Sequence, residues 1–125
     1  MKFISIVCVM ACVCLMMCCK SKAENGFSSV TVDEFAKCIA DTANVMVVDV
    51  RTADEYNAGH IDNALNIDVK RNDFEAQANK ALPKDKTIAI YCRSGNRSKK
   101  AGKILTDNGY KVVELESGYN GWTKK

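Results

Sequence analysis

Apolar and polar residues are spaced so that predicted strands alternate with predicted helices along the chain. The continuous apolar run at residues 45–50 predicts a strand buried on both faces, as in a parallel sheet. Residues 87–91 and 111–115 are two further predicted strands, each rich in β-branched side chains. We expect two shorter strands, one at residues 64–67 and one at an edge of the sheet beginning at Phe27.

Helical patterns fill the intervals between these strands. Thr31 has the character of an N-cap for a helix over residues 32–40, since Asp33 and Glu34 would lie in its first turn. Thr52 and Glu55 have the spacing of a capping box and open a short helix. Three more helices are predicted at residues 72–82, 98–108 and 118–122. This alternation predicts an α/β domain with a mainly parallel sheet.

The N-terminus has the pattern of an export signal. Lys2 is followed at residues 3–18 by an uncharged apolar run, which is short for a spanning helix and suits a signal peptide. We therefore expect a signal peptide at 1–19, a tether at 20–27 and a folded domain at 28–125. Residues 15–19 resemble a loose lipobox, with Cys18 or Cys19 as the lipidated residue; cleavage after Ala23 is the alternative. The expected location is the periplasm, with membrane attachment only through a lipid anchor.

The cysteines are unevenly distributed. Five of the seven lie in the first nineteen residues, which leaves Cys38 and Cys92 in the predicted domain. Without paired spacing there, we expect no disulfide framework, no metal site and no cofactor. Cys38 lies on the first predicted helix, where it is interpreted as a small buried filler or, alternatively, as a resolving thiol for Cys92.

The net charge of +3 conceals a marked asymmetry. Residues 24–85 hold six basic and twelve acidic residues, whereas residues 86–125 hold nine basic and three acidic ones. Between Asp85 and Asp107 there are no acids and six basic residues: Lys86, Arg93, Arg97, Lys99, Lys100 and Lys103. Positive charge near Cys92 predicts a small anionic ligand. Nucleic acid is not expected, because no basic stripe is interleaved with aromatic residues.

Cys92 lies where a buried strand stops and a helix is about to begin. The loop after it contains Arg93, Ser94, Gly95, Asn96, Arg97 and Ser98. Its N–H groups can surround the sulfur at the positive end of a helix dipole, which lowers a thiol pKa and creates a nucleophile. The two arginines offer forked donors to an oxyanion. His60, the sole histidine, is too distant in sequence for a Cys–His pair to be assumed, so attack on sulfur or phosphorus is favoured over peptide hydrolysis.

Three segments stand out as motifs. They are Asp49-Val50-Arg51 with Glu55-Tyr56, Gly59-His60-Ile61, Ala64 and Asn66-Ile67; the loop Tyr91-Cys92-Arg93-Ser94-Gly95-Asn96-Arg97-Ser98; and Gly118 with Gly121-Trp122. Together these segments resemble the rhodanese family. The resemblance covers roughly residues 28–123. It implies a five-stranded parallel sheet flanked by helices on both faces, and a thiosulfate sulfurtransferase that works by double displacement.

In that mechanism, the cysteine takes a sulfane sulfur from thiosulfate or another small anionic donor. It then passes the sulfur to cyanide or a thiol, for which a thioredoxin-like protein is one candidate. A monomer is expected. In the phosphatase and arsenate-reducing branch of this fold, five residues separate the cysteine from its arginine. Here only four residues separate Cys92 from Arg97, and Ser98 occupies the phosphatase position, so the loop resembles the sulfurtransferases.

The remaining motif residues are interpreted as support for the site. Asp49, Arg51 and Glu55 are expected to form an ion-paired group at the strand end, and His60 a structural hydrogen bond near a turn. Two alternatives stay open for Cys92. One is a non-catalytic persulfide carrier or redox-partner module, and the other is a thiol–disulfide oxidoreductase that also uses Cys38.

Overall fold

The computed structural model describes residues 23–24 and 26–125. The predicted signal peptide, both candidate lipidation sites at Cys18 and Cys19, and most of the predicted tether lie outside the described residues. Within the described residues, no helix has the length and apolar character needed to cross a bilayer.

Strands and helices alternate along most of the chain, as the residue pattern predicts. The strands are β1 (Ala23–Glu24), β2 (Phe27–Val30), β3 (Val45–Asp49), β4 (Leu65–Asn66), β5 (Thr87–Tyr91) and β6 (Lys111–Leu115). The helices are α1 (Val32–Ile39), α2 (Ala53–Ala58), α3 (Phe74–Ala81), α4 (Asn96–Asp107) and α5 (Gly118–Trp122).

These strands form one sheet in the order β1-β2-β6-β5-β3-β4. Strands β2, β6, β5, β3 and β4 are mutually parallel, and β1 pairs antiparallel with β2. The predicted five-stranded parallel sheet is confirmed. β2 begins at Phe27 as expected, but it is not an edge strand, because β1 lies outside it within the segment predicted as tether.

The core has two sides because successive strand residues face opposite ways. On β5, Ile88 and Ile90 face the side covered by α3 and α4. Ala89 and Tyr91 face the other side, where α1 packs and where the aromatic residues of α2 and α5 contribute. Strand β5 lies between β3 and β6, so its carboxyl end opens at the middle of the sheet.

Helix α4 begins closer to Cys92 than the sequence predicts. The sequence pattern predicts Ser98 as the first residue, whereas the helix begins at Asn96. Its N-cap is Gly95, which has a φ of 102° and makes no side-chain capping bond. Glycine adopts this left-handed conformation at little cost, and with no capping side chain the first N–H groups of the helix stay available to the loop.

Candidate active site

Cys92 follows β5 directly and lies at the carboxyl end of this inner strand. Its side chain is buried, with 1% of its surface exposed. The Gly95 N–H donates a hydrogen bond of 3.1 Å to the Cys92 Sγ. The tight turn that permits this bond depends on Gly95, because a Cβ there would lie 2.2 Å from the Glu116 carbonyl oxygen.

The loop lowers the pKa of the Cys92 thiol. Burial by itself raises this pKa, because a thiolate loses solvation in the interior. Hydrogen bonds from the Ser98 side chain and from the N–H groups of Ser98, Gly95 and Ser94 outweigh the effect of burial. The site therefore favours the thiolate, which is the nucleophilic form of cysteine.

A buried polar chain lies beneath the loop, and the sequence analysis missed its key member. Glu114 of β6 has no exposed surface. Its Oε2 accepts a short hydrogen bond from the Ser98 hydroxyl, and its Oε1 accepts one of 2.6 Å from the Ser29 hydroxyl. The Lys99 ammonium lies 3.4 Å from both carboxylate oxygens. The sequence does contain a sign of this buried carboxylate: Glu114 is a charged residue between Val113 and Leu115 in an apolar strand. Strand alternation places its side chain on the opposite face of the sheet from those two residues.

The segment after β6 fixes the other side of the loop. The Tyr119 N–H donates to the Cys92 carbonyl at 2.8 Å, and the Asn120 N–H donates to the Arg93 carbonyl at 3.0 Å. Gly118 has a φ of 65°, and a Cβ there would lie 2.5 Å from the Arg93 carbonyl carbon and oxygen. The segment that begins with Gly118 of the third motif thus holds the backbone of the cysteine loop in place through hydrogen bonds and close packing.

Arg97 is paired inside the protein. Its guanidinium donates to both carboxylate oxygens of Glu55, at 2.7 and 2.8 Å. The sequence analysis expected Arg97 to bind substrate and Glu55 to join Asp49 and Arg51. The structure instead joins the loop to α2 through this pair, across 42 residues of sequence, and the Arg97 fork is already occupied.

Asp49 and Arg51 form a buried ion pair at the end of β3. The Arg51 Nη2 lies 2.6 Å from the Asp49 carboxylate and donates to the Gly59 carbonyl at 2.6 Å. The guanidinium also lies over the rings of Tyr119 and Tyr91, at 4.4 and 5.5 Å from their centroids. This arrangement matches the supporting position expected for Asp49 and Arg51.

The other predicted site residues lie around the mouth of the loop or away from it. Arg93, Ser94 and Asn96 are exposed. Arg93 also lines a pocket of about 190 Å³, together with Arg51, Glu55, Ala58, Gly59, Tyr119 and Asn120. His60 is exposed, stacks on Tyr56 at 3.7 Å and places its Nδ1 2.9 Å from the Tyr56 carbonyl oxygen.

Cys38 and Cys92 lie on opposite faces of the sheet. Cys38 is 1% exposed and belongs to the core beside Phe35, whereas Cys92 packs on the side of α4. Cys92 is a free cysteine. This separation disfavours Cys38 as a resolving thiol for Cys92.

The described residues contain no group of three or more His, Cys, Asp or Glu side chains that could hold a metal ion. The arrangement is thus a buried cysteine of lowered pKa whose sulfur accepts hydrogen bonds from N–H groups of the loop, with the exposed Arg93 next to it in the chain.

Comparisons with known proteins agree with this geometry. The family model of the rhodanese-like domain matches residues 31–125. The chain therefore belongs to the rhodanese-like family. It is 34% identical over 93 residues to a sulfurtransferase of Allochromatium vinosum, covering 74% of this chain and 84% of that protein. It also superimposes on the human single-domain sulfurtransferase with a TM-score of 0.64 and 26% identity, covering 80% of this chain and 98% of that one.

Other relatives of this chain are longer proteins. A tRNA uridine(34) hydroxylase of Cronobacter sakazakii is 34% identical over 110 residues, which is 79% of this chain but 31% of that protein. The chain thus spans about a third of the hydroxylase. Family membership and the sulfurtransferase relatives support sulfur transfer as the general chemistry of this chain.

Proposed function

We propose that this protein is a thiosulfate sulfurtransferase in which Cys92 carries the transferred sulfur as a persulfide. The observation that carries the proposal is the Gly95 N–H, which lies 3.1 Å from the Cys92 Sγ within a six-residue loop. N–H groups that stabilise a thiolate also suit the anionic persulfide that replaces it.

The reaction takes place in two displacements. In the first, the Cys92 thiolate attacks the sulfane sulfur of thiosulfate; a sulfur–sulfur bond forms to Cys92, the bond to the sulfonate sulfur breaks, and sulfite leaves with its electron pair. In the second, cyanide or a thiolate attacks the outer sulfur of the persulfide. Thiocyanate or a new persulfide then departs, and the Cys92 thiolate is regenerated.

Charge and size at the mouth of the loop support a small anionic donor. Arg93 is exposed beside the cysteine, and no ion pair with a carboxylate is found for it within the described residues. Since Cys92 itself is buried, a compact donor reaches its sulfur more readily than a bulky one. We expect Arg93 to attract thiosulfate, together with any N–H donors of Arg97 that its pair with Glu55 leaves available.

The proposal is tested with the purified protein, thiosulfate and cyanide. We expect thiocyanate to form, and Cys92 to gain the mass of one sulfur atom when thiosulfate is supplied alone. Cys92→Ser should abolish both results, whereas Cys38→Ser should leave both unchanged. Full activity in Cys92→Ser would refute the proposal.

The same experiment separates the alternatives. A persulfide on Cys92 without turnover would favour a non-catalytic carrier that serves a thiol partner such as a thioredoxin-like protein. Loss of activity in Cys38→Ser would favour a thiol–disulfide oxidoreductase.

We also propose export to the periplasm with a lipid anchor at Cys18 or Cys19. The apolar run at residues 3–18 and the following cysteines support this proposal. Mass spectrometry of the mature N-terminus from a membrane fraction tests it. A mature chain that still begins at Met1 would refute export by cleavage.

A further inference from the structure

Glu114 is a buried titratable group that the two displacements do not use. It has no exposed surface, yet it lies one hydroxyl away from the reactive sulfur. The groups that face it are the Ser98 hydroxyl and Lys99 ammonium from α4, the Ser29 hydroxyl from β2, and Cys92 through Ser98. A buried carboxylate of this kind requires an explanation, because its desolvation is costly.

The direction of each hydrogen bond is fixed by the number of protons. A serine hydroxyl has one proton, which Ser98 donates to the ionised Glu114 carboxylate, with the Gly95 carbonyl oxygen at 3.2 Å as a second acceptor. The Cys92 Sγ lies 3.5 Å from the same Ser98 oxygen, so a Cys92 thiol must be the donor there. The result is a continuous chain in which sulfur donates to serine and serine donates to carboxylate.

Formation of the thiolate reverses the first of these bonds. The Ser98 hydroxyl can donate to a sulfur anion only if its own proton is no longer held by Glu114. Both changes happen together when the Cys92 proton passes to the Ser98 oxygen while the Ser98 proton passes to Glu114. The net change is a thiol and a carboxylate becoming a thiolate and a carboxylic acid, with no electrons gained or lost.

We propose that Glu114 is a positioning residue that orients the Ser98 hydroxyl and takes up the Cys92 proton through it. The hydrogen-bonded series Cys92–Ser98–Glu114 differs from a Cys–His pair, because a hydroxyl conducts the proton and a buried carboxylate receives it. This role rests on Cys92 being the nucleophile of the proposed function. Its test does not require sulfur transfer, so the two proposals can fail separately.

The test is the rate of Cys92 alkylation by iodoacetamide as a function of pH, measured on the purified protein. In the wild type, internal proton transfer maintains a thiolate population below the midpoint of the profile, so the rate levels off toward acid. In Glu114→Gln, the amide cannot take up the proton and the rate should fall tenfold per pH unit. We therefore expect a wild-type to variant ratio near one above the midpoint, which grows about tenfold per pH unit once the wild-type rate has levelled off.

The matched control is Glu116→Gln, which removes the same charge from an exposed side chain just after β6. Its profile should match that of the wild type. A Glu114→Gln rate reduced equally at every pH would mean a purely structural role and would overturn the proposal. A rate increased at every pH would mean simple charge repulsion and would overturn it too.

Ser98→Ala covers the case in which Glu114→Gln does not fold, as judged by circular dichroism. This variant keeps the carboxylate but removes the hydroxyl that connects it to sulfur. It should show the same loss toward acid, and the double variant should lose no more than either single one. A level acid limb in Ser98→Ala would refute the relay.

Discussion

Replacing Glu55 with glutamine should lower the free energy of unfolding, because it removes the ion pair between Glu55 and Arg97. The Arg97 guanidinium, working against desolvation and assisted by Thr52, lowers the pKa of Glu55 from 4.5 to about 2. A fall of this size corresponds to about 3 kcal/mol of preference for the ionised carboxylate. Thr52 supplies part of that preference, and glutamine also fits the capping box. Because solvent screens side chains that are 20% and 25% exposed, we expect a loss of about 2 kcal/mol.

The pH dependence follows from the depressed pKa. Stability supplied by the pair is fully present above pH 4.5, the value for the unfolded chain, and is lost as the pH falls toward about 2. Urea unfolding of Glu55→Gln and of the wild type should therefore differ by about 2 kcal/mol at pH 6 and converge near pH 2. At neutral pH, the melting temperature should fall by roughly 8 °C.

Helix α1 supplies a matched control. Thr31 and Glu34 form a capping box like that of Thr52 and Glu55, but there the carboxylate is exposed and no arginine pairs with it among the described residues. Glu34→Gln should leave the unfolding curve nearly unchanged. If Glu55→Gln is no less stable than Glu34→Gln, or if its deficit is the same at pH 2 and pH 6, the ion pair is not the source of the effect.

Two further substitutions test the supports of the loop. Asp49→Asn leaves the Arg51 charge buried without its partner and should cost about 3–5 kcal/mol in urea unfolding; a loss below 1 kcal/mol would contradict this view of the pair. Gly95→Ala forces a side chain into a left-handed position against the Glu116 carbonyl, so it should cost at least about 1 kcal/mol. It should also weaken the N–H contact to the Cys92 Sγ, which raises the thiol pKa and moves the alkylation midpoint to higher pH; an unmoved midpoint would show that this contact does not set the thiol pKa.

Local chemistry explains which features the sequence predicts well. The apolar run at 45–50, the threonine N-caps at Thr31 and Thr52 and the strand before Cys92 each depend on neighbours in the chain. The position of Cys92, the proposed nucleophile, is also set locally, because a strand end, a glycine and a helix start adjoin in sequence. These features could be predicted because no distant partner is needed to form them.

The features that the sequence did not reveal depend on distant partners. Arg97 looked like a free anion ligand because Glu55 is 42 residues away, and residue spacing does not show that the two side chains meet. Glu114 lies in a predicted strand, and its partners Ser29 and Ser98 belong to two other elements, so the sequence does not show that these three side chains meet. The early start of α4 had a different cause: Gly95 acts as the N-cap through its backbone conformation, where the sequence rules look for a side chain.

The sheet order also has a consequence for the way the chain folds. Ser29 on β2 and Glu114 on β6 touch across 85 residues, and β2 has no parallel neighbour other than β6. During synthesis, the first half of the domain therefore cannot complete its sheet until β6 has been made. Bringing β2 and β6 together closes a loop of 85 residues, and the entropy is lost before the strand contacts can stabilise the structure. This order of events slows folding. A chain truncated before Lys111 would expose the edges of β2 and β5 together, and we expect it to aggregate instead of forming a smaller domain.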